Sequence, residues 1–114
     1  MTDNNRSFDQ ETEGIIYNVT IKITSAIADE WLPWLLNEHI PDMMQTGCFI
    51  SNRVVRLLEV DDKEGPTYAI QYYAASKSDY NRYIAVHANE MRDRSYKKWG
   101  DQFIAFRSVM QLVQ

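Results

Sequence analysis

The sequence predicts a single α+β domain with the element order β-α-β-β-α-β. Three observations carry this reading. Tyr17, Val19, Ile21 and Ile23 alternate strictly with polar residues. Two longer stretches, AIADEWLPWLLNEHIPDMM and SDYNRYIAVHANEMRDRSYKKW, space their apolar residues at helical intervals. An acidic DDKEGP turn separates two further strand-like runs.

The first strand is IIYNVTIKIT, rich in β-branched residues, with Asn18, Thr20, Lys22 and Thr24 facing opposite its apolar set. Ser25 is expected to cap the helix that follows, which carries Asp29 and Glu30 early. On a regular wheel Ile27, Ala28, Trp31, Leu32, Leu35, Leu36, His39 and Met43 share one half. Asp29, Glu30, Pro33 and Asn37 share the wet half. Pro33 is expected to kink this helix, Pro41 to break its last turn into a separate piece, and Gly47 to end it. FISNRVVRLLEV and PTYAIQYYAA form a hairpin across the DDKEGP turn. Ser76 or Ser78 caps the second helix, whose predicted stripe is Tyr80, Tyr83, Ile84, His87 and Met91. Lys97 and Lys98 favour its last turn, and Gly100 ends it. FIAFRSVMQLV is the fourth strand, with Ile104, Phe106, Met110 and Leu112 assigned to the core.

Two right-handed crossovers then lay both helices on one face of a four-stranded antiparallel sheet, with strands one and three central. This is the ferredoxin-like arrangement, expected over residues 15–114 after a disordered tail at 1–14. Alternation assigns Asn18, Thr20, Lys22, Gln71, Tyr73, Phe103, Arg107 and Gln111 to the second sheet face, and a one-residue slip exchanges the sets. Aromatic and apolar residues mix with amides there. Two copies packed sheet to sheet would bury such a face as a dimeric α+β barrel; the alternative is one wet antiparallel face.

Composition excludes several classes. The chain of 114 residues has 12 Lys and Arg against 16 Asp and Glu, a net charge of −4, which opposes nucleic-acid binding. The single Cys48 cannot close an intrachain disulfide. No apolar run is long enough to span a membrane, and the polar N-terminus lacks a signal-peptide core, so the expected location is cytoplasmic, with no membrane partner.

At IYNVTIKI, WLPWLLNEHIPDMMQTGCF, TYAIQYYAASKSDYNRYIAVHA and KKWGDQFIAFRSVMQL the chain resembles a bacterial family of small uncharacterised domains among the dimeric α+β barrels. EHIPD, TGCF and FIAFRSV are the most specific pieces. The resemblance implies fold and homodimer and transfers no reaction. Monooxygenases, isomerases and haem-degrading enzymes on this fold are analogies only.

Chemistry-bearing residues are few. His39, flanked by Glu38 and Asp42 beside a proline-broken helix end, is the candidate general base, with Arg107 and Tyr73 as catalytic partners orienting an anionic substrate. His87, Asn18, Gln71 and Trp34 are candidate ligand contacts, and His39 and His87 are expected under one roof. Packing is the alternative for each of them. No metal site and no cofactor are expected, since no HxxxH, HExxH or CxxC spacing occurs. Cys48 reads as a buried, inert thiol, and RDRSYKK as a solvated helix face. The reading that follows is a homodimeric barrel binding a small organic molecule, aromatic or anionic. The alternatives are a cofactor-independent oxygenase or isomerase using His39, and a structural or regulatory dimerisation domain.

Overall fold

The computed structural model describes residues 14–114. The expected N-terminal tail lies outside them except for Gly14, whose carbonyl accepts a hydrogen bond from the Leu112 amide (2.8 Å). Strand β1 spans Ile15–Ile23, β2 Ser51–Arg56, β3 Thr67–Ala74 and β4 Phe103–Gln111. Helix α1 follows a short 3₁₀ turn at Ser25–Ile27. It comprises α-helical Ala28–Trp34, a π turn at Leu35–His39, and α-helical Ile40–Gln45. Helix α2 comprises α-helical Lys77–Arg82, a π turn at Tyr83–His87, and α-helical Ala88–Trp99.

The sheet order is β2-β3-β1-β4, antiparallel throughout, so β1 and β3 are central as the sequence predicts. Ile15, Tyr17, Ile21 and Ile23 bury one face of β1 beneath the helices, beside Ile70, Tyr72 and Ala74 of β3. The hairpin turn docks back onto the end of β1: the Ile23 amide donates to the Pro66 carbonyl and the Ser25 amide to the Glu64 carbonyl. Gly65 sits at φ +146°, and a Cβ there would lie 1.7 Å from the Ile23 carbonyl oxygen, so only glycine fits.

Strand β4 reverses the expected facing. It pairs with β1 at Ile23↔Phe103, Ile21↔Ala105, Val19↔Arg107 and Ile15↔Gln111, so Phe103, Ala105, Arg107, Val109 and Gln111 share the helix side. Ile104, Phe106 and Met110, assigned to the core by alternation, face outward and are exposed, as is Leu112 beyond the strand end. Each alternating set of FIAFRSVM has three apolar residues and one polar one, Arg107 or Ser108. Hydropathy therefore does not choose the face, and the ladder to β1 does. The open face thus carries Asn18, Thr20, Ala69, Gln71, Tyr73, Ile104 and Phe106.

The helices also depart from the regular wheel. In α1 the Ile40 amide donates to the Leu35 carbonyl, five residues back. The extra residue gives the buried series Trp31, Leu35, Ile40, Met43, and leaves Leu36 exposed and His39 at the edge of the core. The Ala88 amide does the same to the Tyr83 carbonyl, so Tyr83, Ala88 and Met91 are buried while His87 and Ile84 swing outward. Pro41 opens no separate piece. It has no amide to give, but it is the second residue of the Ile40–Gln45 stretch just past the π turn, and the backbone stays helical through Ile40. Ser25 does not cap α1: Ser25 lies in the 3₁₀ turn, and the neighbouring Thr24 hydroxyl instead donates to Gln102 Oε1 (2.7 Å). Ser76 does cap α2, accepting from the Asp79 amide (3.1 Å). No helix among the described residues is long and apolar enough to cross a membrane.

Candidate functional site

The layer between helices and sheet is not filled everywhere. Along α2 the core side reads Met91, Ser95, Trp99, a small hydroxyl between two large side chains. Along the helix side of β4 it reads Phe103, Ala105, Arg107. Where Ser95 and Ala105 stand, space remains: an inner chamber of about 50 Å³ walled by Trp31, Trp34, Leu35, Tyr72, Phe103 and Arg107. A second, more polar chamber of about 40 Å³, open to solvent on its arginine side, is lined by Tyr17, Tyr83, Arg92, Ser95 and Arg107. On the solvent side a bowl of about 400 Å³ is formed by Trp34, Glu38, Asp42, Arg94, Lys97 and Lys98.

His39 borders all three spaces. It ends the π turn of α1, which carries it from the core stripe to the wall between chambers and bowl. Its ring stacks on Trp34 with centroids 4.9 Å apart and planes at 22°. Trp34 in turn meets Trp99 edge-on and Trp31 at a tilt. Burial lowers the His39 pKa from the ordinary 6.5 to about 4; Asp42 opposes that shift and Arg94 adds to it. The imidazole is therefore neutral near pH 7 and has an acceptor nitrogen to offer.

The polar chamber is positively charged. Arg92 donates to the Tyr17 hydroxyl (3.2 Å), a bond that raises the Arg92 pKa further. Burial raises the Tyr83 pKa, so its hydroxyl stays protonated and donates to Met43 Sδ (3.3 Å). Among the described residues no carboxylate lines either chamber. Elsewhere on the helices several arginines and lysines have acidic partners: Arg94 bridges Asp42 (3.2 Å) and Glu90, Lys97 pairs with Asp93 (3.1 Å), and Arg82 with Asp79 (3.4 Å).

The structure brings together three of the residues singled out in the sequence: His39, Trp34 and Arg107. Arg107 arrives there because β4 has the opposite facing to the one alternation assigns. Tyr73, Asn18 and Gln71 lie on the open face, across the sheet from His39; Tyr73 accepts a hydrogen bond from Arg53, and Asn18 donates to Thr20 (2.9 Å). His87 stacks on Tyr83 and lines none of the three spaces around His39, so the two histidines share no roof. The residues that sequence reasoning missed are Arg92, Tyr17, Tyr83 and Ser95. Ser95 had a legible signal, a small polar residue on the buried stripe. Cys48 is buried, its thiol 3.8 Å from the Thr46 carbonyl. Among the described residues no cluster of three or more metal-ligating side chains occurs.

Residues 14–113 match the family described as a domain of unknown function, DUF4286. The chain belongs to this family. No curated protein matches it. Among solved structures this DUF4286 chain is similar to a dimeric ferredoxin-like protein from an uncultured marine organism, with TM-score 0.69 and 8% identity over 90% of this chain and 97% of that one. It is also similar to an ethyl tert-butyl ether D family protein from Bacillus halodurans (TM-score 0.60, 10% identity, 82% and 96% covered). A hydroxynitrile lyase from Passiflora edulis gives TM-score 0.58 and 12% identity, with 87% and 94% covered. At such identities the likeness establishes the ferredoxin-like fold of this DUF4286 domain and nothing of its chemistry.

Proposed function

We propose that this DUF4286 domain is a homodimeric barrel that binds a small organic molecule between its helices and its sheet, at the chambers bordered by Trp34, His39 and Arg107. The observation that carries the binding site is the unfilled space at Ser95 and Ala105, free of acids among the described residues, bordered by a neutral histidine and lined on one side by aromatic rings. The observation that supports the dimer is the outward set Ile104, Phe106, Met110 and Val55, exposed on a face whose centre holds the buried Asn18 and Ala69. The dimeric neighbour on the same fold agrees with it. A cytoplasmic, bacterial setting fits the composition and the resemblance.

Native mass spectrometry of the protein purified without added ligand, repeated after denaturation, tests both parts. A dimer carrying a released small molecule supports the reading. A monomer with nothing bound, and no quenching of Trp34 fluorescence by any of a set of small acids, amides and alcohols, overturns it.

A catalytic reading is favoured by one feature, the neutral imidazole of His39 facing the chambers. A base with pKa about 4 accepts a proton only from an acidic carbon or from a hydroxyl acidified by neighbouring cations. In that reading His39 is the base and Arg107 holds the substrate. Exchange of a substrate proton with deuterated solvent, lost in His39→Gln, tests it.

A further inference from the structure

The charge balance around the chambers says more than that something binds there. The chain carries four more acidic than basic side chains, and Arg56, Arg82 and Arg94 each have a carboxylate partner. Arg53, Arg92 and Arg107 have none among the described residues; Arg53 lies on the open face against Tyr73, whereas Arg92 and Arg107 both line the polar chamber. An arginine left without an acid in an acid-rich protein, beside tyrosine hydroxyls and a serine, forms a receptor for an anion. The adjoining chamber is the opposite in character, walled by Trp31, Trp34, Tyr72 and Phe103. Its volume of about 50 Å³ is far below the roughly 150 Å³ that holds a benzene ring.

Resting on the binding reading above, we infer that the ligand is a short-chain monocarboxylate, its carboxylate held by Arg107 and Arg92 and its alkyl end lying against Trp34 and Phe103. The neutral His39 accepts a hydrogen bond from a hydroxyl or enol on such an acid without competing for its charge. An inorganic oxyanion satisfies the arginines but leaves the aromatic chamber empty.

The test compares butyrate, butyramide and inorganic phosphate on the full-length protein by calorimetry and by Trp fluorescence. It is repeated on Arg107→Gln and Arg107→Lys, both checked for fold by circular dichroism. Arg107 is exposed on an edge strand, so its replacement leaves the core intact. Butyrate is expected to bind at least about tenfold tighter than butyramide; Arg107→Gln abolishes that preference and Arg107→Lys restores part of it. Equal binding of butyrate and butyramide overturns the anion and leaves the binding site standing. Phosphate binding without butyrate binding overturns the monocarboxylate in favour of an inorganic oxyanion. If butyrate fails to bind, the inference falls; the binding reading falls with it only if butyramide also fails and nothing co-purifies.

Discussion

Leu35 and Ile40 stand five residues apart and occupy successive places on the core side of α1, joined by a hydrogen bond from the Ile40 amide to the Leu35 carbonyl. Tyr83 and Ala88 repeat the relationship on α2. Each wide turn ends in a histidine, which it displaces from the buried stripe. On α1 the displaced ring becomes the wall of the candidate site.

The wide turn holds one residue more than the core needs. Deletion of Glu38, exposed within it, closes the π turn to an α turn and leaves Ile40 and Met43 in register. Its cost is expected to be about 1 kcal/mol or less. Deletion of Asp93 from the regular part of α2 rotates Trp99 away from Met91 and is expected to cost several kcal/mol, on the order of 3 or more. Thermal melts of the two variants check this; equal losses would contradict it.

His39 couples stability to pH. Its folded pKa, about 4, lies below the ordinary 6.5, so the native state binds fewer protons than the unfolded chain between those values. Stability therefore rises with pH across that window and is lost as pH falls through it. The contribution is about 2–3 kcal/mol, after discounting for the part of the ring that meets water. Asp42, Glu38, Arg94, Lys97 and Lys98 face the ring from the bowl and Arg107 from the sheet side, and burial outweighs their sum. Urea titrations at pH 4.5 and 7 are expected to show this difference in the native protein and a smaller one in His39→Gln. An NMR titration in which His39 protonates near pH 6.5 would refute the assignment.

Gly65 holds the hairpin turn against β1. Replacement by alanine drives a Cβ into the Ile23 carbonyl, where the backbone rather than a flexible side chain stands in the way. The expected loss is on the order of 3 kcal/mol or more, measured by chemical denaturation. A loss below about 1 kcal/mol would show that the turn moves freely.

The open sheet face is the interface of the proposed dimer. Phe106 is 70% exposed and Ile104 64%, and burying each against a second copy contributes about 2 kcal/mol. Phe106→Glu is expected to shift the protein to monomer in sedimentation velocity while leaving its circular dichroism unchanged. A variant that stays dimeric would place the interface elsewhere.

Much of the fold was legible because it is local. The alternation of β1, the Ser76 cap, the glycine stop at Gly47 and the turn at Gly65 each depend on neighbours within a few residues. The order of six elements with short connections then leaves little freedom in topology. The site was legible only in fragments. His39 stood out as one of two histidines and Trp34 as a near neighbour on its helix, but nothing local distinguishes a chamber-lining ring from a packed one.

What the sequence by itself determined is the set of elements, their order and the identity of the central strands, since period, caps and turns act over a few residues. The tertiary structure alone decided three things. It chose the face of β4, where both alternating sets are equally apolar and only pairing with β1 separates them, and so turned Arg107 toward His39. It placed the π turns, of which the one in α2 has no proline to mark it, because the core has sockets for Tyr83 and Ala88 but not for His87. It left the chambers open, because whether Ser95 and Ala105 leave space depends on what stands opposite them across the helix–sheet interface.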